Sequence, residues 1–241
     1  ISKTPDTTSK IAFTEGNTKF DENGVQWIIN PYDEWYSLVK AIVLKEKDPS
    51  ILIHLITVGG ADTEPIIRKA LALGGDEAIR VNNTSNDSMV VAQEIAAIAK
   101  EGAYDLILTG KETIDYNSAS IGSMLCALLD TTFIPNAIAL EVNGTTAIVK
   151  REIEGGEESC ETSLPIILSC QKGMAEQRIP NMRGIMAART KPLKVVEASI
   201  HNATTSIKKF DTPPAKSGVK LVEAGNMDEM VRLLKEEAKV I

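Results

Sequence analysis

Apolar positions recur along this chain with two alternating periods. Short aliphatic runs are followed by stretches in which apolar side chains return every three or four positions. Asn30-Pro31-Tyr32-Asp33 reads as a helix start, with Asn30 as N-cap, Pro31 at the first helical position and Asp33 reaching back. Trp35, Leu38, Val39, Ile42 and Val43 then keep helical spacing through Lys45. Residues 51–58 read as a buried strand ended by Gly59-Gly60. Asp62 or Thr63 caps the next helix, with Pro65 in its first turn, Ile66, Ile67, Ala70 and Leu71 on its apolar side and Gly74-Gly75 at its end. Residues 78–81 are predicted as strand, 88–100 as helix and 104–109 as strand. Such alternation implies a parallel sheet with helices on both faces and right-handed crossovers.

After Asp130 the pattern changes. Residues 138–142 and 146–150 flank Asn143-Gly144, a strong two-residue hairpin signal. The acidic segment 152–161, with Gly155-Gly156, reads as a second turn, and 164–170 as another buried strand. Residues 171–192 look irregular and 193–196 form a short strand. Residues 200–218 have few core positions, contain Pro213-Pro214 and read as an extended arm. Asn226 caps a final amphipathic helix, with Glu229 completing a capping box and Met230, Val231, Leu233, Leu234 and Ala238 as its apolar residues. Burial within the arm cannot offset the cost of ordering it, so it is expected to lie against another surface, naturally a second chain. The predicted architecture is a three-layer, Rossmann-like α/β nucleotide-binding domain over residues 1–196 with a β-hairpin insertion. An arm plus helix follows over 197–241.

Composition narrows the function classes. A hydrophobic fraction of 43% and a charged fraction of 24% fit a folded domain, and 241 residues can bury a proper core. A net charge of −7 gives no general attraction to nucleic acid, and 4% aromatic residues leave little for base stacking. No apolar run approaches the ~18–20 residues that span a bilayer, so no membrane insertion is expected. Three cysteines without a C-x-x-C pair, and no visible signal peptide, suggest a reducing, cytoplasmic setting. The chain opens Ile-Ser-Lys without Met, and a few leading residues, most of a first strand, are expected ahead of it. His54 and His201 lie far apart, no Ser/His/Asp or Cys/His set exists and no carboxylate pair stands out. Neither a metal site nor catalytic side chains are expected.

Residues 104–122, YDLILTGKETIDYNSASIG, are the most informative. An apolar strand stops at Gly110, a polar loop follows, and a Ser/Ala/Gly-rich helix start comes next. Free N–H groups and the helix dipole at such a start hold an anion, as in a phosphate site; an ordinary capped helix fits the same pattern. The dinucleotide fingerprint is absent, because Gly59-Gly60 lacks a third glycine at the right offset. A P-loop is absent too: Asp105 stands where its first glycine belongs and Glu112 where Ser or Thr would meet Mg²⁺. Asn30–Asp33, Gly59-Gly60 and residues 115–122 all fall at the strand ends, or in the loops beside them, where open α/β sheets bind ligands. Residues 171–191 alternate Arg178, Arg183, Arg189 and Lys191 with Ile179, Met182, Ile185 and Met186. That mix suits a docking surface, with adaptable Met contacts and Arg for partner carboxylates; a basic-faced helix packed on its own sheet is the alternative.

In these segments the chain resembles the β-subunit family of the electron-transferring flavoproteins. The likeness runs through Lys3-Thr-Pro-Asp6, Asn30-Pro31-Tyr32-Asp33-Glu34, Ile67-Arg68-Lys69-Ala70-Leu71 with Gly74 and Asp76, Asp105-Leu-Ile-Leu-Thr-Gly-Lys111 with Ile114-Asp115, and the 178–191 loop. It covers nearly the whole chain, and the family begins with a strand just before the Lys3 region. The resemblance implies an adenine-nucleotide α-hydrolase-like fold and a heterodimer with an α subunit that carries most of the FAD contacts. It also implies a structural AMP in the β subunit, replaced by a second FAD in electron-bifurcating relatives. Electrons would come from acyl-CoA dehydrogenases of fatty acid β-oxidation, or related dehydrogenases, and pass to a quinone oxidoreductase. No metabolite bond is made or broken by the β subunit.

Carried over by position, the AMP contacts would be Asn30, Pro31, Tyr32, Asp33, Val58, Gly110, Lys111, Asp115, Asn117, Ser118, Ala119, Ser120 and Ile121. The last four sit where helix N–H groups meet the phosphate. Thr7 and Tyr32 match positions near the flavin, where Thr7 replaces the family's aromatic. Met182 matches the apolar anchor of the recognition loop (about 172–191), flanked by Arg178, Ile179 and Arg183, that docks in the partner dehydrogenase. The rival reading is a stand-alone adenine-nucleotide module of the universal-stress type, which leaves that loop without a role.

Overall fold

The computed structural model describes residues 1–241 apart from Tyr32, Ile200, Lys216 and Ser217. In chain order its elements are β1 (Lys3–Pro5), β2 (Phe13–Thr14), β3 (Lys19–Phe20), β4 (Trp27–Ile29), α1 (Glu34–Lys47), β5 (His54–Val58), α2 (Glu64–Leu73), β6 (Glu77–Asn82), α3 (Ser88–Gly102), β7 (Leu106–Gly110), α4 (Ile121–Leu129), β8 (Thr132–Asn143), β9 (Thr146–Ile153), β10 (Gly156–Ser163), β11 (Ile166–Cys170), α5 (Met182–Ala188), β12 (Leu193–Glu197) and α6 (Met227–Arg232). A short 3-10 turn (Ala61–Thr63) leads into α2.

Two sheets carry the fold. β12, β6 and β5 lie side by side and parallel, while the second sheet runs β10-β9-β8-β11-β7. Within the second, β7, β11 and β8 are parallel and β9 and β10 continue it antiparallel. β8 serves both halves. Its residues 132–134 pair with β11, the register then shifts at Asn136 (φ 56°), and its distal part pairs with β9.

β11 shows why the layers form. Ile166, Leu168 and Cys170 pack on one side with Tyr36 of α1, and Ile167 packs on the other with Ala92 and Ala96 of α3 and Leu125 of α4. Successive strand side chains point to opposite faces, so a strand covered on both reads as an unbroken apolar run. Truncating such a residue, Ile167→Ala for example, costs about 2–5 kcal/mol. The first sheet has its own core, in which Leu38, Ile53, Leu55, Ile67 and Leu71 join α1, α2 and β5. β5 and β7 are the end strands of their sheets, and both contribute to the lining of one cavity. The main chain of Ile1 lies on β5 there, its amine donating to Ile56 O at 2.8 Å.

Several local expectations are corrected. α1 begins at Glu34 with Asp33 as its N-cap, not at Pro31; the side chains of Asn30 and Asp33 instead bond to Glu112, far along the chain. The strand expected over 51–58 is confined to His54–Val58, because Ile53 N–H is taken by Asp76 Oδ2 at 2.7 Å. The acidic segment is mostly strand: only its middle turns, and Gly156–Ser163 pairs with β9, its glutamates solvated. Residues 171–192 are not wholly irregular, since α5 lies within them. Asn226 does cap α6, but Glu229 bonds to Arg232 rather than completing a capping box, and none of α6 is buried.

Candidate functional site

The site lies where parallel strands end. β5 ends at Val58 and turns through Gly59-Gly60, β6 ends in the loop 83–87, and β7 ends at Gly110. These ends and the 111–120 loop line a cavity of about 1910 Å³.

The loop after β7 is fixed at its root. Lys111 N–H donates to Cys170 O at 3.0 Å. Glu112 N–H donates to Asp33 Oδ2 at 3.0 Å, and Glu112 O accepts from Asn30 Nδ2 at 2.6 Å. Ser37 Oγ donates to Thr109 O at 2.8 Å. Gly110 lets the two segments approach: a Cβ there would stand 2.9 Å from both Asp33 Cβ and Glu34 Cγ. Burial pushes the Asp33 carboxyl above its ordinary range, outweighing the Glu112 N–H bond that pulls it down.

Beyond this root the loop takes a costly shape. Asn117 and Ala119 both have left-handed backbone, φ 50° and 48°. Asn tolerates that region, whereas Ala bears about 1–2 kcal/mol. α4 then starts at Ile121, with Ser120 at the N-cap position making no side-chain cap bond. Its first N–H groups have no capping side chain, and residues of alternating hand before a helix form an anion-binding concavity. Asn30 is fully buried beside this loop, and its Oδ1 has no hydrogen-bond partner among the described residues.

Thr7, Val58, Gly110, Lys111, Asp115, Ser118, Ala119, Ser120 and Ile121 all line the cavity. Asn30 and Asp33 stand behind the Glu112 loop and shape it. Pro31 and Asn117 are not part of the lining; Pro31 O instead accepts from Gln177 Nε2 at 3.1 Å. Tyr32 lies outside the described residues. Sequence reasoning missed Lys3 and the Asn83-Thr84-Ser85 run, which also face the cavity. The second of these had a signal, since it directly follows a strand of the same parallel sheet.

The sequence model of the electron transfer flavoprotein domain matches residues 17–201. A β subunit of electron transfer flavoprotein from Bacillus subtilis is 38% identical, the match covering all of this chain and 98% of the relative. This chain belongs to the electron transfer flavoprotein β-subunit family. The Syntrophomonas wolfei β subunit is 34% identical, covering 92% of this chain and 87% of its own. Subunit CarD of the caffeyl-CoA reductase-Etf complex of Acetobacterium woodii is 29% identical over 90% of this chain and 87% of its own.

In this electron transfer flavoprotein β-family chain the 172–191 segment forms a tip held on a firm base. Arg68 donates to the carbonyls of Ala188 and Lys191 at 2.8 and 2.7 Å, and Lys191 Nζ donates to Leu71 O and Gly75 O at 2.9 and 2.5 Å. Trp35 Nε1 donates to Arg178 O at 3.1 Å. Asn181 caps α5 through Gly184 N–H at 2.8 Å. Ile179, 90% exposed, and Met182, 72% exposed, project from this base. Arg183 is exposed beside them. The Arg178 guanidinium, expected to face a partner, is bonded to Glu46 at 2.6 and 3.0 Å. Among the described residues no group of metal-binding side chains occurs, and no helix is long and apolar enough to cross a membrane.

Proposed function

We propose that this chain is one half of a heterodimeric electron carrier, binding a structural AMP and completing the FAD site of an α subunit. Electrons would arrive from acyl-CoA or related dehydrogenases and leave for a quinone oxidoreductase. The observation that carries the nucleotide part is the uncapped start of α4, preceded by left-handed Asn117 and Ala119. An unliganded loop gains nothing from that strain; a phosphate accepting the Ala119–Ile121 N–H groups offsets it. Asn30 Oδ1 and the Glu112 loop then shape the rest of the site. FAD, held mostly by the α subunit, supplies the redox chemistry.

This chain's own part is binding and docking. Thr7 lies on the cavity wall, on the side assigned to the flavin edge. Ile179 and Met182 offer an apolar tip that fills a pocket on the dehydrogenase, and Arg183 meets carboxylates at its rim. Residues 1–196 form the nucleotide-binding unit, and the part of the 197–241 arm beyond Phe210 reaches the α subunit. Co-purification with the α subunit, a visible spectrum and chromatography of released nucleotides test the reading together. One flavin and one AMP per heterodimer is the expected result. A second flavin in place of AMP assigns the bifurcating variant, and a colourless homodimer binding ATP refutes the proposal in favour of the universal-stress type.

A further inference from the structure

Beyond Ser199, whose N–H donates to Glu94 Oε2 at 3.2 Å, the arm that leaves β12 is fastened to the domain at two places among the described residues. Asp87 caps α3 through Oδ1. Its Oδ2 turns to the arm and accepts four bonds, from the N–H groups of Thr204 and Thr205 at 2.8 and 2.6 Å and from their hydroxyls at 2.9 and 2.8 Å. Further on, Phe210 N–H donates to Asn17 O at 2.7 Å. The Phe210 ring stacks on Phe13 with centroids 4.9 Å apart and planes 6° from parallel. Asp87 opens α3 at the strand-end side of the cavity, while Phe13 and Asn17 belong to the β2–β3 hairpin. Residues 204–210 therefore bridge two separate elements, and Ile207 and Phe210 form part of the cavity lining between them.

This bridge differs from a wall. It has no regular secondary structure, and Ser206 to Lys209 are exposed. Its hold comes from two point attachments rather than from burial, so breaking one frees the whole segment. A seven-residue segment of this kind spans up to roughly 24 Å, enough to cross a nucleotide site.

We infer that residues 204–210 are a strap that closes the cavity over its occupant and must lift for the occupant to enter or leave. The occupant's identity as an adenine nucleotide rests on the reading under Proposed function; the strap itself rests on the contacts above. A gate differs kinetically from a wall. A gate slows entry and exit alike, whereas a wall contact lowers exit alone.

The test uses the full chain and radiolabelled AMP, following uptake and chase. Phe210→Ala removes the stacked anchor, and both rates are expected to rise about tenfold while affinity changes far less. Asp87→Asn keeps an acceptor for the α3 cap but loses the charge that gathers the threonines, and it should act in the same direction. A rise in release alone, or no change in either rate, overturns the strap. Deuterium exchange supplies a readout independent of AMP. Loss of the Phe210 anchor should speed exchange of the Thr204 and Thr205 amides at the other end, because the strap lifts as one unit. Should the chain take up no AMP, the nucleotide reading falls, and unchanged protection at Thr204 and Thr205 would then overturn the strap as well.

Discussion

Asp33 Oδ2 accepts the N–H of Glu112 at 3.0 Å, joining residues 79 positions apart. Asn30 takes the carbonyl of the same residue, so both main-chain groups of Glu112 are held by the approach to α1. Burial holds the Asp33 carboxyl above its ordinary value. The folded state then binds a proton more readily than the unfolded one. Stability linked to this group is full below the ordinary value and falls as pH rises through the elevated folded value. Asp33→Asn should flatten that slope and keep an acceptor for Glu112. Asp33→Ala leaves the part-buried Glu112 N–H unpaired and should cost about 1 kcal/mol. Urea unfolding at a series of pH values from acid to neutral checks both.

Ala119 carries strain that a ligand is expected to repay. Ala119→Gly should raise the stability of the nucleotide-free chain by about 1 kcal/mol, since glycine enters the left-handed region without a Cβ clash. Ala103, left-handed at the C-cap of α3, is the control site. Ala103→Gly should stabilise by a similar margin and leave nucleotide retention alone. Ala119→Gly should strengthen retention, because glycine lowers the cost of the left-handed shape that the loop presents to the phosphate. Melting curves with and without AMP separate the two. Equal behaviour of both variants would count against a role for Ala119 in the site.

Helix and strand positions were legible where one period dominated. The runs that became β6, β7 and β11, and the Asn143-Gly144 hairpin, follow from local chemistry. The approach to α1 was misread because Asn30 and Asp33 fit helix caps equally well, and only tertiary contact with Glu112 decides between the uses. β10 was missed because its glutamates lack any apolar alternation, yet pairing to β9 satisfies its backbone on a solvated strand. The phosphate-type loop could be seen as Ser/Ala/Gly-rich, but the hand of Asn117 and Ala119 could not. Lys3 at the cavity was hidden for a different reason. Its side chain is gathered by Asp62 and lies 3.8 Å from the Trp27 ring centroid, contacts no local pattern encodes.

Gly184 sets how closely α5 sits on α2. A Cβ there would collide with the backbone carbonyl of Ala72, which cannot rotate away. Gly184→Ala should therefore shift α5 and tilt the Ile179–Met182 tip while the sheets stay intact. The expected result is slower electron acceptance from a partner dehydrogenase at limiting concentration, with unchanged flavin content. Ile179→Ala and Met182→Ala should each slow it without moving α5, since both side chains project from the tip. Stopped-flow reduction at several dehydrogenase concentrations distinguishes weaker docking from slower transfer. Equal rates for all three variants and the parent would remove the docking role from this loop.

Asp87 makes the fastening of the arm depend on acid. Bonds from the Thr205 hydroxyl and the Val90 N–H, then from the Thr205 N–H and the Thr204 hydroxyl, hold its carboxyl far below the ordinary range. A depressed folded value means the linked stability is present above the ordinary carboxylate value and is lost as pH falls through the folded one. The arm should thus stay fastened through the mildly acid range in which ordinary carboxylates protonate. It should release only under stronger acid. The amide resonances of Thr204 and Thr205 report this directly, because the carboxylate that accepts from them changes charge. In Asp87→Asn they should show no acid step and should already resemble the released arm at neutral pH. Trypsin cleavage after Lys208 and Lys209, both exposed on the arm, should be faster in that variant at neutral pH, since proteolysis follows the population of the opened segment.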